Sequence, residues 1–120
     1  MPSESSIVAA IKRRATVAGW WVMKHHGSAY SLAGLPDLVM HKGGVTVYME
    51  VKRPGGKPTP IQVRRMAELR ERGGVPAFVV TSVEQAASLM HLYDPCDECR
   101  KEYSPVKTPR RGVECRKARP

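Results

Sequence analysis

Cysteine is scarce in this chain, at three in 120 residues. An odd, small number does not build the disulfide framework of a secreted mini-domain. No apolar run approaches the length of a membrane span, and the N-terminus lacks a signal-peptide pattern. The reading is a cytosolic protein with no membrane partner. Internal repeats are absent too. Acidic residues are few, 11 against 20 Lys and Arg, for a net charge of +9. Residues 1–93 alone hold 12 Lys/Arg and 6 Asp/Glu, so the excess is not confined to a tail. A basic body of this kind suits a polyanionic partner, most simply nucleic acid, although a solvated basic face would show the same balance.

What is present is enough for one domain with a modest core. Ser3 caps an expected helix from Glu4 to Ala18, whose buried face is Ile7, Val8, Ile11 and Ala15. Trp20 to Met23 reads as a strand, and Gly27 to Gly34 as a loop. Asp37 to Lys42 and Val45 to Lys52 are two strand-like runs joined by Gly43-Gly44, a hairpin signal. Thr59, Pro60 and Gln62 have the spacing of a capping box opening a helix to Arg72. Pro76 to Thr81 is a continuous apolar run, expected to be a strand buried on both faces. Ser82 caps a last helix through Leu92. The order is α-β-β-β-α-β-α, an α/β fold. From Asp94 the periodicity dissolves, so the expected division is a domain over 1–93 and a basic, flexible tail over 94–120.

The hairpin carries the chemistry. Val45, Val47, Met49 and Val51 fall on one face of their strand; Thr46, Tyr48, Glu50 and Lys52 fall on the other. Glu50 and Lys52 are then roughly 7 Å apart along one face. With Lys42 and Val45 flanking the turn, Asp37 lies opposite Glu50, their Cβ atoms about 5 Å apart. Facing like charges destabilise a ladder unless a cation compensates. Lys52 supplies one positive charge and a divalent metal can supply more. The plainer reading is a surface hairpin whose carboxylates pair with Lys52 and Arg53.

Gly34-Leu35-Pro36-Asp37, Glu50-Val51-Lys52 and Pro58-Thr59-Pro60-Ile61-Gln62, in this element order, resemble the PD-(D/E)XK nuclease superfamily. More narrowly they resemble its VRR-NUC branch, the virus-type replication-repair nuclease domain, across residues 4–82. The resemblance implies a restriction-endonuclease-like αβββαβ core with a mixed central sheet between helices. It implies a stand-alone phage or bacterial protein, similar in core to Holliday-junction resolvases and forming a homodimer in the host cytosol. The implied activity is Mg²⁺-dependent hydrolysis of DNA, with Mn²⁺ able to substitute, selective for branched DNA in replication, repair or recombination. Restriction-type or flap cleavage is the alternative task. A non-catalytic DNA-binding module is the alternative of another class, and an intact Asp37, Glu50 and Lys52 speaks against it.

By the same resemblance Asp37, Glu50 and the Val51 carbonyl are metal ligands, and Glu4 completes the sphere, often through water. Lys52 positions the attacking water or stabilises developing charge, and Gln62 stands at the site's edge. Capping alone also accounts for Gln62, and a helix N-terminal position for Glu4. Lys52 between two carboxylates stays protonated, which favours an electrostatic role over that of a free base. Arg53, Lys57, Arg64 and Arg65 surround the site as DNA-binding residues that hold phosphates without reading sequence. His25, His26 and His41 are read as surface or groove residues, because Mg²⁺ prefers oxygen donors. Structural zinc at Cys96, Cys99 and Cys115, with or without His91, is not expected, since a second Cys-x-x-Cys is missing.

Overall fold

The structure, a computed structural model of the chain, describes residues 2–25 and 32–102. Its elements are α1 (Glu4–Val17), β1 (Trp21–Lys24), β2 (Leu38–Lys42), β3 (Val45–Val51), α2 (Pro60–Glu71), β4 (Ala77–Val80), α3 (Val83–Tyr93) and α4 (Asp97–Glu102). The expected α/β order holds through α3. Four strands form one mixed sheet in the order β1-β2-β3-β4. The first two pairings are antiparallel, and β3 with β4 is parallel. A parallel neighbour requires a crossover, and α2 provides it.

Local chemistry sets these boundaries. The Ser3 side chain accepts from the Ser6 amide and starts α1. The helix closes when Gly19 N–H donates to Thr16 O and Trp20 N–H to Ala15 O, a Schellman ending. Trp20 is therefore part of the helix stop, buried against the core, and β1 begins one residue later than the apolar pattern suggests. Gly43 and Gly44 both have positive φ, 52° and 84°, as the tight turn between β2 and β3 requires. The pairing Lys42↔Val45 is the expected register.

The core lies on one face of the sheet. Ile7, Val8 and Ile11 of α1 and Ala86, Ala87 and Met90 of α3 pack with Leu38, Met40, Val47, Met49 and Val51. Helix α2 packs against β4, with Met66 buried outside that cluster. Alternation in β3 points Glu50 away from the α1/α3 face, where it is nonetheless only 1% exposed.

Ordered structure continues past the boundary drawn at residue 93. Asp94 and Cys96 are buried, and α4 follows them. The cause is a buried ion pair: Lys42 Nζ, at the end of β2, donates to Asp94 Oδ2 at 2.9 Å. Periodicity could not show this, because the contacts are single residues, the Asp94 ion pair, Pro95 against Gly43 and the buried Cys96, with no repeating apolar face. The loop expected over 27–34 falls largely outside the described residues, as do His26, Cys115 and residues 103–120.

Among the described residues no helix is long and apolar enough to cross a membrane.

Candidate active site

Asp37 immediately precedes β2, and Glu50 is the next-to-last residue of β3. The last paired residues are Leu38 and Met49, so Asp37 and Glu50 occupy the next position of the same register. Burial raises the Glu50 carboxyl from 4.5 to about 7, and the neighbouring Asp37 carboxylate acts in the same direction. Lys52 pulls the other way, its ammonium 3.5 Å from Glu50 Oε2. The other oxygen, Glu50 Oε1, is buried with no donor. A buried carboxylate oxygen without a donor is costly, and one beside a second carboxylate is more so.

Val51 completes this arrangement through its backbone. Its N–H donates to Asp37 Oδ2 at 3.3 Å. On β3 the amides of Tyr48 and Lys52 point to the β4 side, donating to Pro76 O and Val80 O. Odd-numbered residues therefore direct their N–H and C=O towards β2. The register places Pro36 opposite Val51. Proline has no N–H to give, so Pro36 cannot return a ladder hydrogen bond to the Val51 carbonyl. Two carboxylates, one with a buried oxygen that has no donor, and the Val51 carbonyl form a hard-oxygen set, which fits a divalent cation such as Mg²⁺.

Gly34 ties this site to α2. Its φ is +82°, and a Cβ there would lie 2.8 Å from Ile61 O and 2.9 Å from Ile61 Cγ1. Arg65 Nε donates to Ala33 O at 2.9 Å, and Arg65 Nη1 pairs with both oxygens of Glu68 at 3.0 and 3.1 Å. Of the four basic residues expected to hold phosphates, Arg65 is thus engaged within the protein. Arg53, Lys57 and Arg64 are exposed and carry no ion pair among the described residues.

Gln62 forms the capping box: Oε1 accepts from Thr59 N–H at 2.9 Å, and its own N–H donates to Thr59 Oγ1 at 3.3 Å. Its side-chain amide N–H groups make no hydrogen bond among the described residues. Glu4 is exposed in the first turn of α1, with no ion pair to the hairpin among the described residues. The structure therefore gathers Asp37, Glu50, Val51 and Lys52, and leaves Gln62 and Glu4 at helix starts.

His25 has a place that alternation did not reveal. The β1–β2 register aligns it with Asp37, whose carbonyl accepts the His25 N–H. His25 is half-buried, and its Nε2 has no partner. This depends on which strand, distant in sequence, β1 pairs with, and no local pattern specifies that. His41, by contrast, is exposed, with Nδ1 2.8 Å from Thr46 Oγ1 and its ring 5.7 Å from that of Trp21.

No protein-family model matches the chain, and no curated protein matches it. A solved structure described as a VRR_NUC domain is 32% identical and superposes with a TM-score of 0.65. The match covers 77% of this chain and 99% of that one. The chain belongs to the VRR-NUC family of nucleases. Its four-stranded mixed sheet with flanking helices is the fold of that family. Asp37, Glu50 and Lys52 of this VRR-NUC core stand at the open end of the β2–β3 hairpin.

Proposed function

We propose that this VRR-NUC protein is a Mg²⁺-dependent DNA endonuclease, selective for branched DNA and acting as a homodimer. The observation that carries the reading is the buried Glu50 Oε1 without a donor, beside the Asp37 carboxylate. Asp37, Glu50 and the Val51 carbonyl would hold Mg²⁺, with Mn²⁺ as a substitute. When bound, such an ion lowers the pKa of its water and acts as a Lewis acid on a phosphate oxygen.

The chain's own groups do the rest. Val51 N–H holds Asp37 Oδ2 and leaves the other carboxylate oxygen to hold the cation. Lys52, its side chain 16% exposed, keeps an ammonium at the edge of the pair. From there it orients the attacking water and offsets charge developing on the phosphoryl oxygens. The free amide N–H groups of Gln62 serve the same water from the start of α2. Exposed Arg53, Lys57 and Arg64 hold the phosphates on either side and fix the register of the strand. A second copy would place a second site against the other arm of symmetric branched DNA.

The test is cleavage of a four-way junction, a flap and a linear duplex with Mg²⁺ or Mn²⁺. Wild type should cut the junction best, and Lys52→Ala and Glu50→Gln should fail on all three. Equal cleavage by wild type and both variants would sink the site. Binding without cleavage by wild type would make the chain a DNA-binding module instead.

A further inference from the structure

The packed end of the chain contains a second cluster of donors, unconnected with the carboxylate pair. Asp94, Cys96 and Cys99 bring one carboxylate oxygen and two Sγ atoms within 4.8 Å of one another. Asp94 is 4% exposed and Cys96 is 3% exposed. Their convergence is built by the chain. Asp94 ends α3, and the Cys96 N–H donates to Asp94 Oδ1 at 2.8 Å. Helix α4 then turns Cys99 back towards both. Pro95 between them rests on the hairpin turn, so that a Cβ on Gly43 would come within 2.9 Å of Pro95 Cγ.

We propose that Asp94, Cys96 and Cys99 form a site for a thiophilic divalent cation of the zinc class. A tetrahedral zinc site, with Zn–S near 2.3 Å and Zn–O near 2.0 Å, has donor–donor edges of roughly 3.5–3.8 Å. The three donors need inward shifts of only about 1 Å to meet that geometry. Charge agrees with it. Two thiolates and a carboxylate carry three negative charges, balanced by a dication together with the Lys42 ammonium. Lys42 Nζ donates to Asp94 Oδ2 at 2.9 Å and to Cys99 Sγ at 3.4 Å, the outer hydrogen bonds that orient ligands and steady a thiolate. Binding converts two thiols to thiolates and releases their protons to solvent. Sulfur donors separate this site from the oxygen set at Asp37 and Glu50, which suits Mg²⁺. The cysteine pattern alone argued against zinc because it offered one Cys-x-x-Cys. The missing donor is a carboxylate delivered by the α3–α4 turn, which counting cysteines could not show.

The full chain, reduced and stripped of metal, is titrated with Co²⁺. One equivalent should produce thiolate-to-cobalt charge-transfer absorption, displaced by one equivalent of Zn²⁺. Cys96→Ser/Cys99→Ser should lose the band, and Glu50→Gln should keep it. A wild-type protein with no such band overturns the proposal, as does a double variant with an undiminished one. Should the double variant fail to fold, alkylation of the wild type by iodoacetamide decides, mapped residue by residue by mass spectrometry. Zinc should protect Cys96 and Cys99; equal alkylation with and without zinc overturns the site.

Discussion

The Val51 amide donates to Asp37 Oδ2 at 3.3 Å, so the residue between Glu50 and Lys52 fixes the carboxylate on the neighbouring strand. Pro36, next to Asp37, has no N–H to donate to the Val51 carbonyl on the same side. The Pro-Asp and Glu-x-Lys halves of the motif thus operate as one backbone arrangement. The proline cannot donate to the Val51 carbonyl, and the aspartate side chain takes the Val51 amide.

Glu50 makes the metal-free protein sensitive to pH in a direction opposite to most carboxylates. Its folded pKa, about 7, lies above the ordinary 4.5. The folded state therefore binds more protons between these values, and stability falls as pH rises through them. The loss is complete above pH 7. Thermal unfolding without divalent ions should show a lower Tm at pH 8 than at pH 5. Glu50→Gln, which cannot ionise, should flatten that profile and unfold higher than wild type at pH 8. Added Mg²⁺ should raise the wild-type Tm more at pH 8 than at pH 5.

Lys52→Ala should abolish cleavage while leaving DNA binding close to wild type. Loss of a charge aimed at the transition state costs on the order of 10²–10³ in kcat. Lys52→Arg should restore little, because a planar guanidinium does not replace a compact ammonium 3.5 Å from Glu50 Oε2. Single-turnover cleavage beside equilibrium binding separates the two effects; a variant that loses binding and rate together would refute the assignment.

Gly34→Ala should damage both fold and site. A left-handed non-glycine residue costs of order 1–3 kcal/mol, and here the new Cβ also meets the Ile61 carbonyl at 2.8 Å. Helix α2 must move away from the loop that leads into Asp37. Urea unfolding should show lower stability by at least about 1 kcal/mol. Cleavage should fall further than the folded fraction does. Activity that tracks the folded fraction would mean the contact matters only for stability.

The hairpin was legible because its information is local. Period-two alternation, a Gly-Gly turn and one pairing sum place Asp37 beside Glu50 without knowledge of the rest of the chain. The capping residues Ser3, Thr59 and Ser82 were legible for the same reason. His25 was not, since its place depends on a strand pairing between segments distant in sequence. Neither was the packing of Asp94 and Cys96, because one buried ion pair to Lys42 leaves no periodic trace. Arg65 looked like its basic neighbours in sequence; only the folded chain shows that Ala33 and Glu68 occupy it.

That last distinction separates binding residues from clamps by a measurement. Arg53, Lys57 and Arg64 are exposed and unpaired among the described residues, so each is available to a phosphate. Replacing any one by Ala should lower the slope of log K against log salt by about one for junction DNA. Stability should change by less than about 0.5 kcal/mol, as for ordinary surface substitutions. Arg65→Ala should do the reverse. It breaks the hydrogen bond to Ala33 O, loosens α2 against the loop before Asp37, and lowers stability by roughly 1 kcal/mol or more. The salt slope should stay unchanged, because that guanidinium is already held within the protein. A reduced slope for Arg65→Ala, equal to that of Arg64→Ala, would show that the clamp opens to meet DNA.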